Sequence, residues 1–376
     1  MGLYSKICTW LPISRKKIVF CNFCGRGMGG SPKYIAEELL RERLPYDLVW
    51  LTDGEDHTFP SGIRPVKMFS PRGRYELSTA RVIVNNVKHK LPFVKRKGQY
   101  YIQTWHGDFA LKFIEKEVED KLDPAYVYES KEDSKETDVI LSASRQFTEI
   151  AQDAFWFDGE IYESGQPCHD PYFQISDAEE KVRVHFRLGP QTKLALYAPT
   201  FRDGNNDFKF PDFSRIIAEL ERISGKAWIL LVRLHPNDQA RVERISFTED
   251  ILDASPYPDT QDLAKAASLL ITDYSSIMYD FALQRKQVIL YAPDIAFYEK
   301  TRGLRSIFHQ LPFPLAQDGE ELPRAIRAAF TPNYPEQLKI FLQERVRSFD
   351  DGHASERVAA RIRSVIDGSF HGIRPH

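Results

Sequence analysis

Ser268-Leu269-Leu270-Ile271-Thr272 leads into Asp273-Tyr274-Ser275-Ser276, then Ile277 to Leu283, then Val288-Ile289-Leu290-Tyr291. The first run is short and aliphatic, the pattern of a strand buried in a parallel sheet. Asp273 to Ser276 supply helix N-cap residues. Ile277, Met278, Phe281 and Ala282 then recur on one helical face, and the last run is a second buried strand. The stretch is therefore a βαβ unit, with its loop at the carboxyl end of a strand and the amino end of a helix. Unpaired backbone N–H groups and the positive end of the helix dipole suit such a loop to a phosphate. Ser275 and Ser276 offer hydroxyl donors, and Asp280 offers an acceptor for a ribose or polyol hydroxyl. Taken alone, the same stretch also reads as an ordinary N-cap in a doubly wound α/β domain.

The chain around it has 376 residues, too many for one ordinary core, so two domains are expected. A hydrophobic fraction of 42% and a charged fraction of 28% are globular values. A net charge of −2 advertises no nucleic-acid partner. No apolar run approaches the roughly 20 residues of a membrane span, and no cleavable leader is visible. Cys8, Cys21, Cys24 and Cys168 are too few for a disulfide framework, which favours a reduced, cytoplasmic setting. Cys21-x-x-Cys24 has redox or zinc spacing, with Cys168-His169 as a remote second pair. The first pair sits at a strand end rather than a helix start and the second lacks zinc-finger spacing, so ordinary thiols explain both better.

The N-terminal half alternates strand and helix. Ile18 to Cys21, Asp47 to Thr52, Arg81 to Asn85, the run from Tyr100 to His106, Val139 to Ser142 and Ile161 to Gly165 read as strands. Gly25 to Ser31 is a glycine-rich turn that opens a helix at Pro32, without the dinucleotide spacing. It suits a phosphate, a bulky acceptor or nothing more than a loop. The run beginning at Tyr100 ends in Trp105-His106-Gly107, which puts a histidine at the carboxyl end of a strand. Ligands of open α/β sheets bind there, so His106 is a candidate general base. Residues 111–136, rich in Lys and Glu, read as a solvated helix and loop. The basic, partly apolar residues 1–17 and the groups Lys88-His89-Lys90 and Lys95-Arg96-Lys97, around Leu91-Pro92-Phe93, suit an anionic membrane surface or a plain solvated face. Gly165-Gln166-Pro167 marks a domain boundary.

The C-terminal half repeats the grammar. Lys193 to Ala198 is a strand followed by Pro199-Thr200-Phe201-Arg202, and Ala227 to Val232 closes on Arg233-Leu234-His235-Pro236-Asn237. Alternation puts Arg233 and His235 on one side of an extended chain, where they can hold a pyrophosphate. Residues 335–366 carry Leu338, Phe341, Leu342 and Val346 on one helical face. The expected domains are 1–166, 167–334 and a helical segment 335–376 packing across both.

Trp105-His106-Gly107, Ala198-Pro199-Thr200, Arg233-Leu234-His235-Pro236 and Asp273-Tyr274-Ser275-Ser276 with Asp280 occur in one order. That set resembles the CDP-glycerol glycerophosphotransferase family, the teichoic-acid and capsule polymerases and primases, over nearly the whole chain from about residue 18. The resemblance implies a GT-B-like α/β fold: two Rossmann-like domains facing across a cleft, acceptor and base in the first, CDP-donor in the second. It implies catalytic roles for His106 and His235. For substrate binding it implies Trp105, Gly107, Arg145, Pro199, Thr200, Arg233, Ser275, Ser276 and Asp280. The implied reaction moves glycerol phosphate, or a similar polyol phosphate, from a CDP-polyol to a hydroxyl of a glycan or lipid-linked acceptor and releases CMP. No metal or other cofactor is expected, and a place at the inner face of the cell membrane is. Asp108, and Cys168-His169 within Pro167 to Asp170, depart from the family pattern and leave the acceptor open. A GT-B nucleotide-sugar glycosyltransferase and a non-catalytic nucleotide-binding partner in a capsule assembly complex are the alternatives.

Overall fold

A computed structural model of the chain describes residues 10–54, 58–88, 91–107, 109–202, 208–235 and 238–370. Residues 1–9, His89, Lys90, Asp108, Pro236 and Asn237, all used in the sequence reading, lie outside these ranges. The chain divides into two compact units. The first comprises Met1–Asp108, Ile114–Asp170 and Ser348–His376; the second comprises Phe109–Phe113 and Pro171–Arg347.

The first unit is built on seven strands: β1 (Ser14–Cys21), β2 (Asp47–Thr52), β3 (Ile63–Lys67), β4 (Ala80–Asn85), β5 (Tyr100–Gln103), β6 (Val139–Leu141) and β7 (Glu160–Tyr162). Their order is β3-β2-β1-β4-β5-β6-β7, and every pair is parallel. Alternate residues of the central strands feed two cores. Ile18, Phe20, Trp50, Val82 and Ile102 pack with Val358 and Ile362, while Val19, Cys21, Val49, Ile83 and Tyr101 pack with Leu77 and Phe93. β3 was not legible in the sequence because Pro65 interrupts it. As an edge strand it tolerates the missing N–H.

The second unit holds β8 (Lys193–Tyr197), β9 (Trp228–Val232), β10 (Ile251–Asp253), β11 (Leu269–Thr272), β12 (Gln287–Tyr291) and β13 (Leu315–Ala316). The order is β10-β9-β8-β11-β12-β13, again parallel throughout. Both units are thus α/β and doubly wound, as the strand–helix alternation predicted. In each, the strand order reverses once, between β1 and β4 and between β8 and β11. The carboxyl ends beside that reversal are where such sheets take ligands.

The unit boundaries differ from the expected ones, for physical reasons. The first unit runs on to Asp170 instead of stopping at Gln166, because residues 166–170 are bonded to the returning C-terminal segment. The Gln166 N–H donates to Asp350 Oδ1 (2.8 Å), and His169 Nδ1 lies 3.1 Å from Asp350 Oδ2. Asp170 accepts the N–H groups of Ala354 (2.9 Å) and Ser355 (2.7 Å), the first residues of the last helix, Ala354–Asp367. That helix supplies Val358, Ile362 and Val365 to the first core. The single helical segment expected over 335–376 is therefore two pieces. Tyr334–Ile340 and the π-helical Phe341–Val346 belong to the second unit and stop at Arg347, whose φ is +54°. Among the described residues no helix is long and apolar enough to cross a membrane.

Candidate functional site

In the first unit the loop after β5 is held in an uncommon conformation. Trp105 has φ +57°, which a bulky aromatic residue adopts only when its surroundings enforce it. Its N–H donates to Gln103 Oε1 (3.0 Å), and its ring packs edge-on against Phe155 at 4.9 Å. The turn delivers the exposed ring of His106 beside Trp105, at 4.3 Å between centroids, with Gly107 following. His106 Nδ1 lies 2.8 Å from the Asn86 carbonyl oxygen. A carbonyl only accepts, so the proton belongs on Nδ1 and the lone pair on Nε2, the tautomer a general base needs.

The glycine-rich turn and the end of β4 converge on that carbonyl. Asn86 Nδ2 donates to Asn22 Oδ1 (2.7 Å), and Asn86 Oδ1 accepts from the Phe23 N–H (2.8 Å). Asn22 Nδ2 donates in turn to the Arg26 carbonyl (2.9 Å). Gly30, at φ +56°, leaves room for this amide pair; a Cβ there would come within 3.1 Å of Asn86 Nδ2. The Phe23 ring meets His106 edge-on at 5.2 Å. The turn thus frames the histidine.

Beneath lies a buried polar network. Lys88 Nζ is 3.2 Å from Asp133 Oδ2, and the Tyr101 hydroxyl donates to Asp133 Oδ1 at 2.5 Å. Gln103 Nε2 donates to the Val87 carbonyl (2.9 Å), and Asn85 Nδ2 donates to the same carbonyl (2.9 Å). Burial raises the affinity of Asp133 for protons, and Lys88 opposes the shift. Residues 111–136 are solvated along one side, as expected, but Glu115, Ser130, Asp133 and Ser134 on the other are buried.

Several expected surface features are also structural. Lys88, Leu91 and Phe93 of the basic cluster are buried. Lys95 pairs with Asp138 (2.6 Å), and Arg96 Nη1 donates to the Leu11 carbonyl (2.7 Å). Burial pushes the Cys21 thiol up to about 12, and Cys24 is raised for the same reason, so neither is a poised thiolate. Among the described residues no His, Cys, Asp or Glu cluster could hold a metal. His169 turns to Asp350. Burial works against its protonation, but the Asp350 carboxylate outweighs that and holds it well above the ordinary imidazole value. Arg145 opens the helix Arg145–Ala154 at the end of β6, where its guanidinium bonds Glu163 (2.7 Å).

In the second unit the stretch after β11 is organised by Asp273, which is fully buried. Its Oδ1 accepts from the Thr200 N–H (2.9 Å), the Thr200 hydroxyl (2.7 Å) and the Tyr274 N–H (2.5 Å). Its Oδ2 accepts from Arg202 Nη2 (2.6 Å). Arg202 is buried as well. Its Nε donates to Asp294 Oδ2 (2.7 Å), its Nη1 to the Thr200 carbonyl (2.6 Å), and its plane lies over Phe208, Tyr274 and Tyr298 at 4.7 to 5.3 Å. Burial disfavours its charge, but the two carboxylates raise its pKa. This cross-link ties together the loops after β8, β11 and β12. It brings Pro199 and Thr200 to the same ends of the sheet as Ser275 and Ser276, which are half-buried and precede the helix Ile277–Leu283.

The other expected donor residues have partners of their own. Arg233 Nη1 donates to the carbonyls of Ala254 (2.9 Å) and Tyr257 (2.7 Å), so it clamps the loop after β10. Burial lowers its pKa, with Asp259 and Asp253 opposing. Leu234 is core, and His235 is exposed, its ring 5.5 Å from Phe201. Alternation therefore holds: Arg233 Nη1 is held by the loop after β10 while His235 stays exposed on the same run. Asp280 Oδ1 accepts from the Tyr172 hydroxyl (2.6 Å). Arg202, Asp294, Tyr172, Asn22 and Asn86 were all missed. Asn85-Asn86, a polar pair ending a strand, and Arg202, an arginine just past Pro199-Thr200, were the available signals.

The family model described as CDP-Glycerol:Poly(glycerophosphate) glycerophosphotransferase matches residues 3–364. The chain is similar to a teichoic acid poly(glycerol phosphate) polymerase of Bacillus spizizenii, 30% identical over 94% of this chain and 93% of that protein. It is likewise similar to a teichoic acid poly(glycerol phosphate) polymerase of Staphylococcus epidermidis, 29% identical over 94% of this chain. There it spans only 51% of the relative, about half its length. Among solved structures it is similar to the wall teichoic acid polymerase TagF, in a histidine variant soaked with CDPG. The TM-score is 0.85, with 27% identity over 98% of this chain and 93% of that one.

Proposed function

The chain belongs to the CDP-glycerol:poly(glycerophosphate) glycerophosphotransferase family, and from that premise we propose that it transfers glycerol phosphate from CDP-glycerol to an acceptor hydroxyl in teichoic acid synthesis. The acceptor is a polyol-phosphate or glycan hydroxyl on a lipid-linked chain. Its oxygen attacks the β-phosphorus in line, forming the new P–O bond as the bond to CMP breaks. His106 Nε2 takes the acceptor proton. The observation that carries this reading is the bond from His106 Nδ1 to the Asn86 carbonyl, which leaves Nε2 as the accepting nitrogen on an exposed ring at a strand end.

The second unit binds the donor. Ser275 and Ser276 with their backbone, and Thr200, line the strand ends where the sheet order reverses. Asp280 and Tyr172 together suit a polyol or ribose hydroxyl. Phosphoryl transfer depends mainly on positioning and on stabilising oxyanion charge. Here that charge falls to cations and hydroxyls. Both oxygens of Asp273 are already engaged by Arg202, Thr200 and Tyr274, which supports a reaction without a divalent cation held by that carboxylate.

The protein works at the cytoplasmic face of the membrane. Trp10 and Leu11 are exposed, as are Arg15, Lys16 and Lys97, and Arg96 reaches the Leu11 carbonyl, so apolar and basic side chains share this end of the chain. Binding to anionic vesicles that salt reverses is the expected result; equal binding to neutral vesicles removes this part. The function itself is tested by offering CDP-glycerol, CDP-ribitol and UDP-sugars with lipid-linked acceptors and following CMP or UDP. CMP release with glycerol phosphate on the acceptor is expected, and UDP release from a sugar donor overturns the proposal.

A further inference from the structure

Phe109–Phe113 follows the His106 loop in sequence yet packs within the second unit. It is fastened there at several points. Phe109 stacks on Tyr279 at 5.9 Å and meets Phe341 edge-on at 5.7 Å. The Arg305 N–H donates to the Leu111 carbonyl (2.8 Å), and Lys112 and Leu304 form an antiparallel bridge. Phe113 lies under the Arg305 guanidinium at 5.0 Å. Gly303, at φ +75°, admits that ring, since a Cβ there would come within 2.7 Å of Phe113 Cδ2. Phe109, Ala110 and Leu111 are buried there, which fixes the backbone that carries the one polar side chain of the five.

We propose that Lys112 is that side chain, a diphosphate-binding residue of the second unit that positions the donor beside the Asp273–Ser276 loop. The inference rests on the reading that this unit takes a nucleoside-diphosphate donor. Three observations lead to it. Arg202 is committed to two carboxylates and Arg233 to backbone carbonyls, so the arginines nearest these strand ends serve the fold. Lys112, by contrast, has no ion-pair partner among the described residues. The charged groups that act on it come from three places in the second unit: Asp273 after β11, Arg302 at the end of the helix Ile295–Thr301, and Arg202 after β8. Burial pushes the ammonium down to about 8. Asp273 opposes that shift, while Arg302 and then Arg202 add to it. A lysine among cations in a partly buried place is stabilised by an arriving anion, and its proton affinity rises when the anion binds.

The experiment is calorimetric titration of CDP-glycerol into wild type, Lys112→Met and Lys112→Arg in buffers of different ionisation enthalpy, repeated with UDP-glucose. Methionine keeps the packed stem and removes the charge; arginine keeps a charge that does not titrate. Wild type near pH 8.5 is expected to take up a fraction of a proton on binding. Lys112→Met should lose on the order of 10- to 100-fold in affinity, the scale of one charge-assisted bond. Lys112→Arg should recover most of that loss and take up no proton. If wild type binds CDP-glycerol and Lys112→Met binds it within about twofold, Lys112 is removed and the assigned donor stands. If only UDP-glucose binds and Lys112→Met weakens it, Lys112 stands and the assigned donor falls. If wild type binds neither, both fall. A proton taken up equally by Lys112→Arg also overturns the inference.

Discussion

The loops after β5 and β11 both lie at the carboxyl ends of strands near the point where a sheet reverses order, β11 beside it and β5 one strand away. They use polar groups in opposite ways. In the first unit, Asn22, Asn86, Trp105 and Gln103 spend their hydrogen bonds on orienting one exposed imidazole. In the second, the ionisable side chains bond one another, with Arg202 bridging Asp273 and Asp294, and the result is a shaped loop that presents hydroxyls and backbone. On the proposed function, one topology yields a proton acceptor in one unit and an anion cradle in the other. What decides the outcome is where the charged partners lie and not the order of strands.

Removing the imidazole tests the first half of that contrast with the largest effect. His106→Ala should lower turnover by roughly 10² to 10⁴-fold, the range of general-base loss, while CDP-glycerol affinity changes little. Turnover like wild type in the folded variant would take His106 out of the mechanism. The second half predicts a structural loss. Arg202→Met leaves the buried Asp273 and the half-buried Asp294 without their cation, a change that costs about 3–5 kcal/mol in comparable buried pairs. A lowered denaturant midpoint with loss of donor binding is expected; an unchanged midpoint means the Arg202 bridge does not hold the loop. A smaller effect is expected at the hydroxyls. Ser275→Ala and Ser276→Ala should each weaken CDP-glycerol binding by roughly threefold to tenfold, as one neutral hydrogen bond does, and leave stability unchanged. Affinity unaffected by both changes together would show that the donor does not reach this loop.

The strand–helix alternation made both sheets legible, and the strand-end positions of His106, Thr200, Ser275 and Ser276 followed from it. What stayed hidden depends on contacts distant in sequence. Lys88 read as part of a basic patch because its partner Asp133 lies in a helix whose composition looked solvated. The clamp that Arg233 makes on the loop after β10 stayed hidden because the carbonyls it bonds carry no side-chain signal. The end of the first unit at Asp170 was invisible because it depends on capping a helix that begins at Ala354. Lys112 was passed over for a related reason: nothing in a Lys/Glu-rich stretch says that five residues pack with the other unit.

The central claim is that proton transfer lies with His106 and that donor charge is met without a divalent cation. Its most direct test is CMP release from CDP-glycerol by exhaustively chelated protein given a lipid-linked acceptor, with the product weighed by mass spectrometry. The account predicts CMP in step with an acceptor extended by glycerol phosphate, at a rate that added Mg²⁺ leaves unchanged. Activity that vanishes with EDTA and returns with Mg²⁺ would contradict it.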